Sequence, residues 1–218
     1  MKTALRLNSL LLSVSLATML LGVAPSLAST PVNSPKIACK TTNAVGHTPR
    51  AYRLPKTSMG SDKTQITLFT NCGNIIFTAF GKKAPTTVGV FSFLAKAGYF
   101  NKTLCHRIVT SGIYVLQCGD PTASGTGTPG FKFKDENLPA STSNNYPAGS
   151  VAMANAGPGT NGSQFFIVYK DTSLPPAYTI WGKVTAGLNV VQYIATQSAG
   201  IVDGSPRQPI AILKVSIK

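Results

Sequence analysis

The chain has 218 residues, a formal net charge of +14 and 43% hydrophobic residues. This length and composition can bury a proper core, which excludes a disordered chain and favours one folded domain. The positive charge suits nucleic acid or an anionic cell envelope as a partner. Because the lysines are scattered and no basic run with interleaved aromatic residues exists, we expect no specific nucleic-acid site and only non-specific contact with an anionic envelope.

The first 28 residues have the order of a secretory signal peptide. Lys2 and Arg6 precede an apolar run over residues 9–24, and Ser-Leu-Ala at 26–28 offers small residues where a signal peptidase reads. The alternative, an uncleaved membrane anchor, is disfavoured because the apolar run is short for a membrane span. The sequence therefore predicts a secreted, periplasmic or cell-envelope protein from which residues 1–28 are removed.

The remainder divides into a leader and a domain. Residues 29–63 are rich in Thr, Pro, Ser and Asn without sustained periodicity, which predicts an extended leader or linker. Residues 64–218 contain short β-like runs and two helical segments, a pattern that suggests a β-barrel closed by helices. The predicted strands are Gln65–Thr70, Ile75–Phe80, Leu104–Val109, Ile113–Gln117, the two runs that flank residues 157–162, Tyr178–Val184 and Ile210–Ile217. One predicted helix begins at Pro85 and ends at Gly98, and a short one covers Leu188–Ile194.

Four cysteines, Cys39, Cys72, Cys105 and Cys118, follow the predicted signal peptide. An even number in an oxidising compartment favours two disulfides, and spacing alone leaves three pairings open. Cys105 and Cys118 are expected at the ends of two adjacent strands joined by a hairpin, which favours a bridge between them. Cys72 is expected at the tip of another hairpin, where it is free to tie down the leader through a Cys39–Cys72 bridge. Free thiols packed in the core are the alternative. No Cys-x-x-Cys pair exists and only two histidines are present, so we expect no metal site.

The stretch Val151–Tyr169 is the most informative part of the chain. Its letters are VAMANAGPGTNGSQFFIVY, two runs of small and apolar residues around a loop of Gly, Pro, Thr and Asn. Such a loop is a turn, because Gly, Pro and Asn supply backbone angles that other residues resist. The pattern predicts a strand, a tight polar loop and a strand, with Asn155, Gln164 and Phe166 on one surface.

A second motif precedes it, Cys-His-Arg-Ile at 105–108 and Tyr-Val-Leu-Gln-Cys-Gly-Asp at 114–120. Together the two motifs resemble the cyclophilin family of peptidyl-prolyl isomerases, and the resemblance covers about residue 64 to the C-terminus. It implies an eight-stranded antiparallel closed β-barrel capped by two α-helices. It also implies cis–trans isomerisation of the bond before proline, with no cofactor.

The chemistry of this reaction explains the residue types. An X–Pro bond resists rotation because the nitrogen lone pair is delocalised into the carbonyl group, so a catalyst needs a donor aimed at the prolyl nitrogen and an apolar pocket for the ring. Arg107 suits the donor role because a guanidinium stays charged and presents a fixed fork of donors. By resemblance, Arg107 is the catalytic arginine and Gln117 orients it. The substrate-binding residues that the resemblance implies are Tyr114, Phe166 and Leu174 in the proline pocket, Asn155, Ala154 and Gln164 along the peptide groove, and Val115 and Tyr178. His106 is expected to be a packed structural histidine.

The sequence also departs from the common pattern of the family. Two additional residues lie between Arg107 and Gln117, so the hairpin tip is expected to be longer. The segment 172–178 lacks the tryptophan with which many eukaryotic members bind cyclosporin, so we expect cyclosporin to bind weakly.

The leading interpretation is an exported, monomeric prolyl isomerase that acts on proline-containing peptides and unfolded proteins. Its rivals are a non-catalytic peptide-binding chaperone on the same fold and an envelope-associated scaffold that uses the basic surface.

Overall fold

The computed structural model describes residues 37–56 and 62–218, which form one compact unit. The predicted signal peptide and residues 29–36 lie outside the described residues. In the described residues no helix is long and apolar enough to cross a membrane. The strands are β1 Gln65–Thr70, β2 Gly73–Ala79, β3 Thr103–Leu104, β4 Arg107–Val109, β5 Val115–Cys118, β6 Ser150–Met153, β7 Phe165–Val168, β8 Ile180–Ala186, β9 Asp203–Gly204 and β10 Ala211–Ile217. The helices are α1 Pro85–Lys96 and α2 Leu188–Gln197.

The ten strands form one curled antiparallel sheet in the order β3-β10-β1-β2-β8-β6-β7-β5-β4-β9. The expected barrel class with two helices is confirmed, and the strand count is corrected from eight to ten. The two additional strands, β3 and β9, have two residues each and end the order. Within the described residues no hydrogen-bonded pair joins those two ends, so the ladder itself does not close.

A single strand was expected over residues 104–109, and the structure divides it into β3 and β4. The backbone N–H of Cys105 still donates to Ile210 beside β10, whereas Arg107 pairs with Gln117 of β5. One straight strand cannot pair with both ends of the sheet, so the chain turns at Cys105 and His106. The catalytic candidate Arg107 therefore lies immediately after the turn.

Aromatic rings form the centre of the core, between the sheet and α1. Phe91 of α1 stacks on Phe100 at 4.7 Å and meets the edge of Phe165 at 5.6 Å. Trp181 of β8 packs against Phe77 and Phe91 and is fully buried. Burial of each such side chain stabilises the fold by roughly 1.5–3 kcal/mol, which fixes α1 against the sheet.

The first turn of α1 receives its cap from a distant loop. Ala84, the residue before the helix, has no side-chain oxygen to offer, and Pro85 supplies the fixed φ of a helix start. The Glu136 carboxylate instead accepts hydrogen bonds from the N–H groups of Thr86 and Thr87 at 3.0 and 2.8 Å. Its negative charge also complements the positive end of the helix dipole.

Residues 37–56 have no regular secondary structure, yet they pack on the domain. The structure contains the expected Cys39–Cys72 disulfide, and the backbone N–H of Lys40 donates to the Asn71 carbonyl. The Tyr52 ring meets the edge of Phe93 at 5.5 Å, and its N–H donates to the carbonyl of Pro129. This segment therefore lies against residues 121–130, which reach the candidate site.

Candidate active site

Arg107 and Gln117 lie opposite each other on the antiparallel pair β4–β5. Arg107 Nη1 donates to Gln117 Oε1 at 3.0 Å, and Gln117 Nε2 donates to Gln164 Oε1 at 2.9 Å. Gln164 Nε2 in turn donates to the carbonyls of Gly125 and Gly127 at 2.9 and 3.0 Å. The chain of hydrogen bonds orients each amide, so the glutamine that was expected to orient Arg107 is itself held.

A carboxylate that the sequence analysis did not single out engages the other side of Arg107. Nε and Nη2 of Arg107 donate to the two oxygens of Asp203, both at 2.7 Å. These hydrogen bonds from Arg107 lower the pKa of Asp203 and raise that of Arg107. Asp203 lies in β9, which pairs with β4, so the backbone places the carboxylate next to the guanidinium.

A cavity of about 220 Å³ lies beside Arg107. Phe166, of which only 5% is exposed, forms an apolar wall, and the Tyr178 ring meets it edge-on at 5.6 Å. The cavity brings together eight of the predicted site residues, and Ile113 joins them. Its lining consists of Arg107, Ile113, Val115, Gln117, Ala154, Asn155, Phe166, Leu174 and Tyr178.

The structure places Ile113, rather than Tyr114, in the lining of this cavity. Tyr114 packs on the main core, where its ring meets Tyr169 at 5.9 Å and the Lys170 ammonium lies over it at 4.4 Å. The alternation of side chains before β5 accounts for the difference. Successive side chains of a strand point to opposite faces, so the residue two before Val115 shares the face of Val115 and the residue before it does not.

A second cavity of about 410 Å³ continues the groove past Gln164. Its wall includes Gly125–Thr128, Ala154–Ala156 and Lys132, and Gln117, Ala154 and Asn155 line both cavities. Buried Asp120 holds its first wall, because its carboxylate accepts the N–H groups of Thr122, Gly125 and Gly127 and the Thr122 hydroxyl. A Cβ on Gly127 would collide with that carboxylate, so this close approach requires glycine.

Asp135 holds the opposite wall in the same way. Its carboxylate accepts the Gly159 N–H at 2.8 Å and the Asn161 side-chain amide at 2.9 Å. Asn155 donates its side-chain amide to the Ala177 carbonyl at 2.8 Å, which connects this loop to the segment that carries Tyr178. In the part of the chain that the structure describes, the backbone N–H and C=O of Asn155 have no hydrogen-bond partner. They are available to an extended peptide.

His106 is buried beside Gly125, and neither ring nitrogen has a hydrogen-bond partner among the described residues. Burial lowers the pKa of His106; the nearby Asp120 charge raises it and Arg107 lowers it further. The imidazole is therefore neutral near pH 7. It faces the loop at Gly125, which forms a wall of the second cavity, rather than the cavity beside Arg107. The expected Cys105–Cys118 disulfide is present and joins the residue before His106 to the residue after Gln117.

Sequence reasoning missed Ile113, Asp120, Asp135 and Asp203. The even spacing from Val115 could have indicated Ile113. Asp203 is 96 residues from Arg107, and no local pattern predicts an ion pair across that separation.

Residues 65–217 match the family model described as "Cyclophilin type peptidyl-prolyl cis-trans isomerase/CLD". The chain belongs to the cyclophilin family. Among cyclophilin relatives, the "Probable peptidyl-prolyl cis-trans isomerase B" of Mycobacterium tuberculosis is 42% identical over 182 residues, which are 76% of this chain and 59% of that protein. The Mycobacterium leprae protein of the same name is 42% identical over 179 residues, with 75% and 59% covered. The chain thus spans about three fifths of the length of these mycobacterial relatives.

A shorter cyclophilin, the mouse peptidyl-prolyl cis-trans isomerase-like 1, is 39% identical over 68% of this chain and 89% of its own length. Among solved structures, a Cryptosporidium parvum cyclophilin type isomerase determined in the presence of the dipeptide Ala-Pro matches with a TM-score of 0.60 and 30% identity. The match covers 71% of this chain and 98% of that chain.

Proposed function

We propose that this chain catalyses cis–trans isomerisation of the peptide bond before proline in exported and unfolded proteins. One observation carries the proposal: a charged guanidinium, Arg107, and an apolar wall, Phe166, line the same cavity of about 220 Å³. A proline ring is an apolar group small enough to enter this cavity, and its nitrogen must lose conjugation with the carbonyl for the bond to rotate.

In the proposed mechanism the proline ring packs on Phe166, Leu174 and Tyr178. Arg107 donates a hydrogen bond to the prolyl nitrogen as the bond twists, which localises the lone pair on nitrogen and lowers the barrier. A preorganised donor of this kind acts mainly on the transition state, because the planar ground-state amide nitrogen is a poor acceptor. The reaction then needs neither a nucleophile nor a metal.

The backbone of the substrate is proposed to bind Asn155, whose free N–H and C=O lie on the rim shared by both cavities. Residues N-terminal to the proline extend along the second cavity, where Lys132 is the charged side chain among the lining residues. An extended substrate held by main-chain hydrogen bonds can carry many sequences. This suits clients that are unfolded.

Export of the protein stays a prediction from the N-terminal sequence. Two disulfides support it, because such bridges form and persist in oxidising compartments. Proline-containing peptides and newly exported proteins are therefore the proposed substrates.

The test is a protease-coupled isomerisation assay on a set of X–Pro peptides. We expect the wild-type protein to accelerate isomerisation and Arg107→Ala to lower kcat/KM about 10²- to 10³-fold, the usual cost of one preorganised donor. Arg53→Ala removes an exposed arginine that lines neither cavity and serves as the matched control, with wild-type turnover expected.

A folded Arg107→Ala protein with wild-type turnover would contradict the role of Arg107. A wild-type protein that binds X–Pro peptides without accelerating isomerisation would instead support the non-catalytic chaperone.

A further inference from the structure

The backbone of Asp203 is paired with the strand that carries Arg107. Its strand β9 pairs with β4 through Ile108–Gly204 and Val109–Asp203, and the Thr110 N–H donates to the Val202 carbonyl at 3.0 Å. These backbone contacts fix the main chain of Asp203 next to that of β4. The sheet therefore places the carboxylate within reach of the guanidinium, and the two hydrogen bonds to Nε and Nη2 hold it there.

The ion pair leaves a defined part of Arg107 free. A guanidinium has five N–H donors; Asp203 takes those on Nε and one on Nη2, and Gln117 takes one on Nη1. One N–H on each terminal nitrogen remains for a substrate. Two fixed acceptors on different edges determine the plane of the group, which one hydrogen bond from Gln117 alone would not.

Stability does not account for this ion pair. The side chains of Arg107 and Asp203 are 38% and 47% exposed, and ion pairs at such exposure contribute roughly 0–1 kcal/mol. It is also the one ion pair among the described residues of a strongly basic protein, and it lies at the cavity. A placement of this kind is expected where orientation of the cation matters.

We propose that Asp203 is a positioning residue, which fixes the rotamer and plane of Arg107 so that its free N–H groups point at the prolyl nitrogen. The inference rests on the proposed isomerase function. Asp203 lines neither cavity, so its removal should change the rotation step and leave peptide binding on Phe166 and Asn155 intact.

The experiment compares Asp203→Ala, Asp203→Asn and Asp203→Glu in the isomerisation assay with separate kcat and KM. We expect Asp203→Ala to lower kcat roughly 10- to 100-fold, because a misplacement of about 1 Å can cost this much. KM and the melting temperature should stay near wild type. The kcat of Asp203→Asn should lie between those of Asp203→Ala and the wild type, because the amide oxygen can still accept a hydrogen bond from Arg107. Asp203→Glu should recover much of the wild-type kcat.

Asp62→Asn is the matched control for net charge, since the exposed Asp62 accepts a hydrogen bond from Lys82 and lines neither cavity. Its kcat should equal that of the wild type. Nuclear magnetic resonance gives an independent signature: the Nε–H signal of Arg107, protected by Asp203, should exchange faster with solvent in Asp203→Ala.

Wild-type kcat in Asp203→Ala would overturn the inference, as would a raised kcat, which would show that the carboxylate restrains Arg107 from the substrate. A loss of kcat that follows a loss of folded protein would show a structural role instead. Absence of activity in the wild-type protein would refute the isomerase function itself, so the two failures are distinct.

Discussion

Single carboxylates support the candidate site, and Asp120 is the most deeply buried of them. Burial raises its pKa, but hydrogen bonds from Thr122, Gly127 and Gly125 outweigh burial and lower the pKa below its ordinary value. A carboxyl group whose pKa is lowered by folding adds stability above its unfolded pKa and loses it as the pH falls through the folded pKa. The loop at residues 122–127 is therefore acid-sensitive.

We predict that Asp120→Asn lowers the free energy of unfolding by about 1–3 kcal/mol at pH 7, because an amide cannot accept all the hydrogen bonds of the carboxylate. The difference from wild type should shrink below about pH 4, where the unfolded carboxyl group begins to protonate, and continue to shrink as the folded group protonates. Urea unfolding at a series of pH values measures it, with Asp62→Asn as the charge control. A difference that is constant with pH would contradict the assignment.

At the scale of elements, α1 depends on a residue from another part of the chain. The Glu136 carboxylate accepts two N–H groups of the first turn and the Thr87 hydroxyl, at 2.8 Å. These groups would otherwise be unsatisfied at a buried helix start. Asp135, the residue before Glu136, accepts hydrogen bonds from the loop at 155–161. One short segment therefore connects α1 to the groove.

We predict that Glu136→Gln lowers the free energy of unfolding by about 1–2 kcal/mol, since loss of a helix cap typically costs this much. Thr87→Val removes the hydroxyl partner, and the double variant completes a cycle that isolates the pair. We expect the two losses to be less than additive, because both remove the same hydrogen bond. Equal stability of Glu136→Gln and wild type in denaturant unfolding would exclude the cap.

Local elements could be predicted from sequence because their signals are local. The bounds of β1 agree with the prediction, α1 begins at Pro85 as expected, and the barrel with two helices is confirmed. The prediction was less accurate where tertiary pairing decides: residues 104–109 change partners at Cys105, and Ile113 rather than Tyr114 lines the cavity.

The candidate site shows the same division. Arg107, Gln117 and Phe166 lie in contiguous motifs and were found from them. Asp203 and Asp135 act through contacts 96 and 26 residues distant in sequence, on side chains whose own neighbours carry no motif. A fold is needed to bring such carboxylates to their partners.

At the scale of the molecule, all six acidic residues take part in hydrogen bonds within the protein. Each accepts at least one internal hydrogen bond, and Arg107–Asp203 is the one ion pair in residues 37–56 and 62–218. The acids and their donors are Asp62 with Lys82, Asp120 with Thr122, Asp135 with Gly159, Glu136 with Thr87, Asp171 with Ala148 and Asp203 with Arg107. The positive charge of the surface is consequently little compensated by neighbouring carboxylates.

We predict that the protein binds anionic polymers non-specifically and that salt abolishes the binding. Scattered exposed cations attract a polyanion over roughly 10 Å at 0.1 M salt, and screening shortens this range to roughly 3 Å at 1 M. Retention on immobilised polyphosphate should therefore be strong at low salt and lost at high salt. Arg107→Ala should be retained like wild type, because Arg107 is already paired with Asp203. Retention that persists at high salt, or that disappears in Arg107→Ala, would instead indicate a specific site. Failure of the protein to bind the polyphosphate even at low salt would exclude an envelope contact driven by charge.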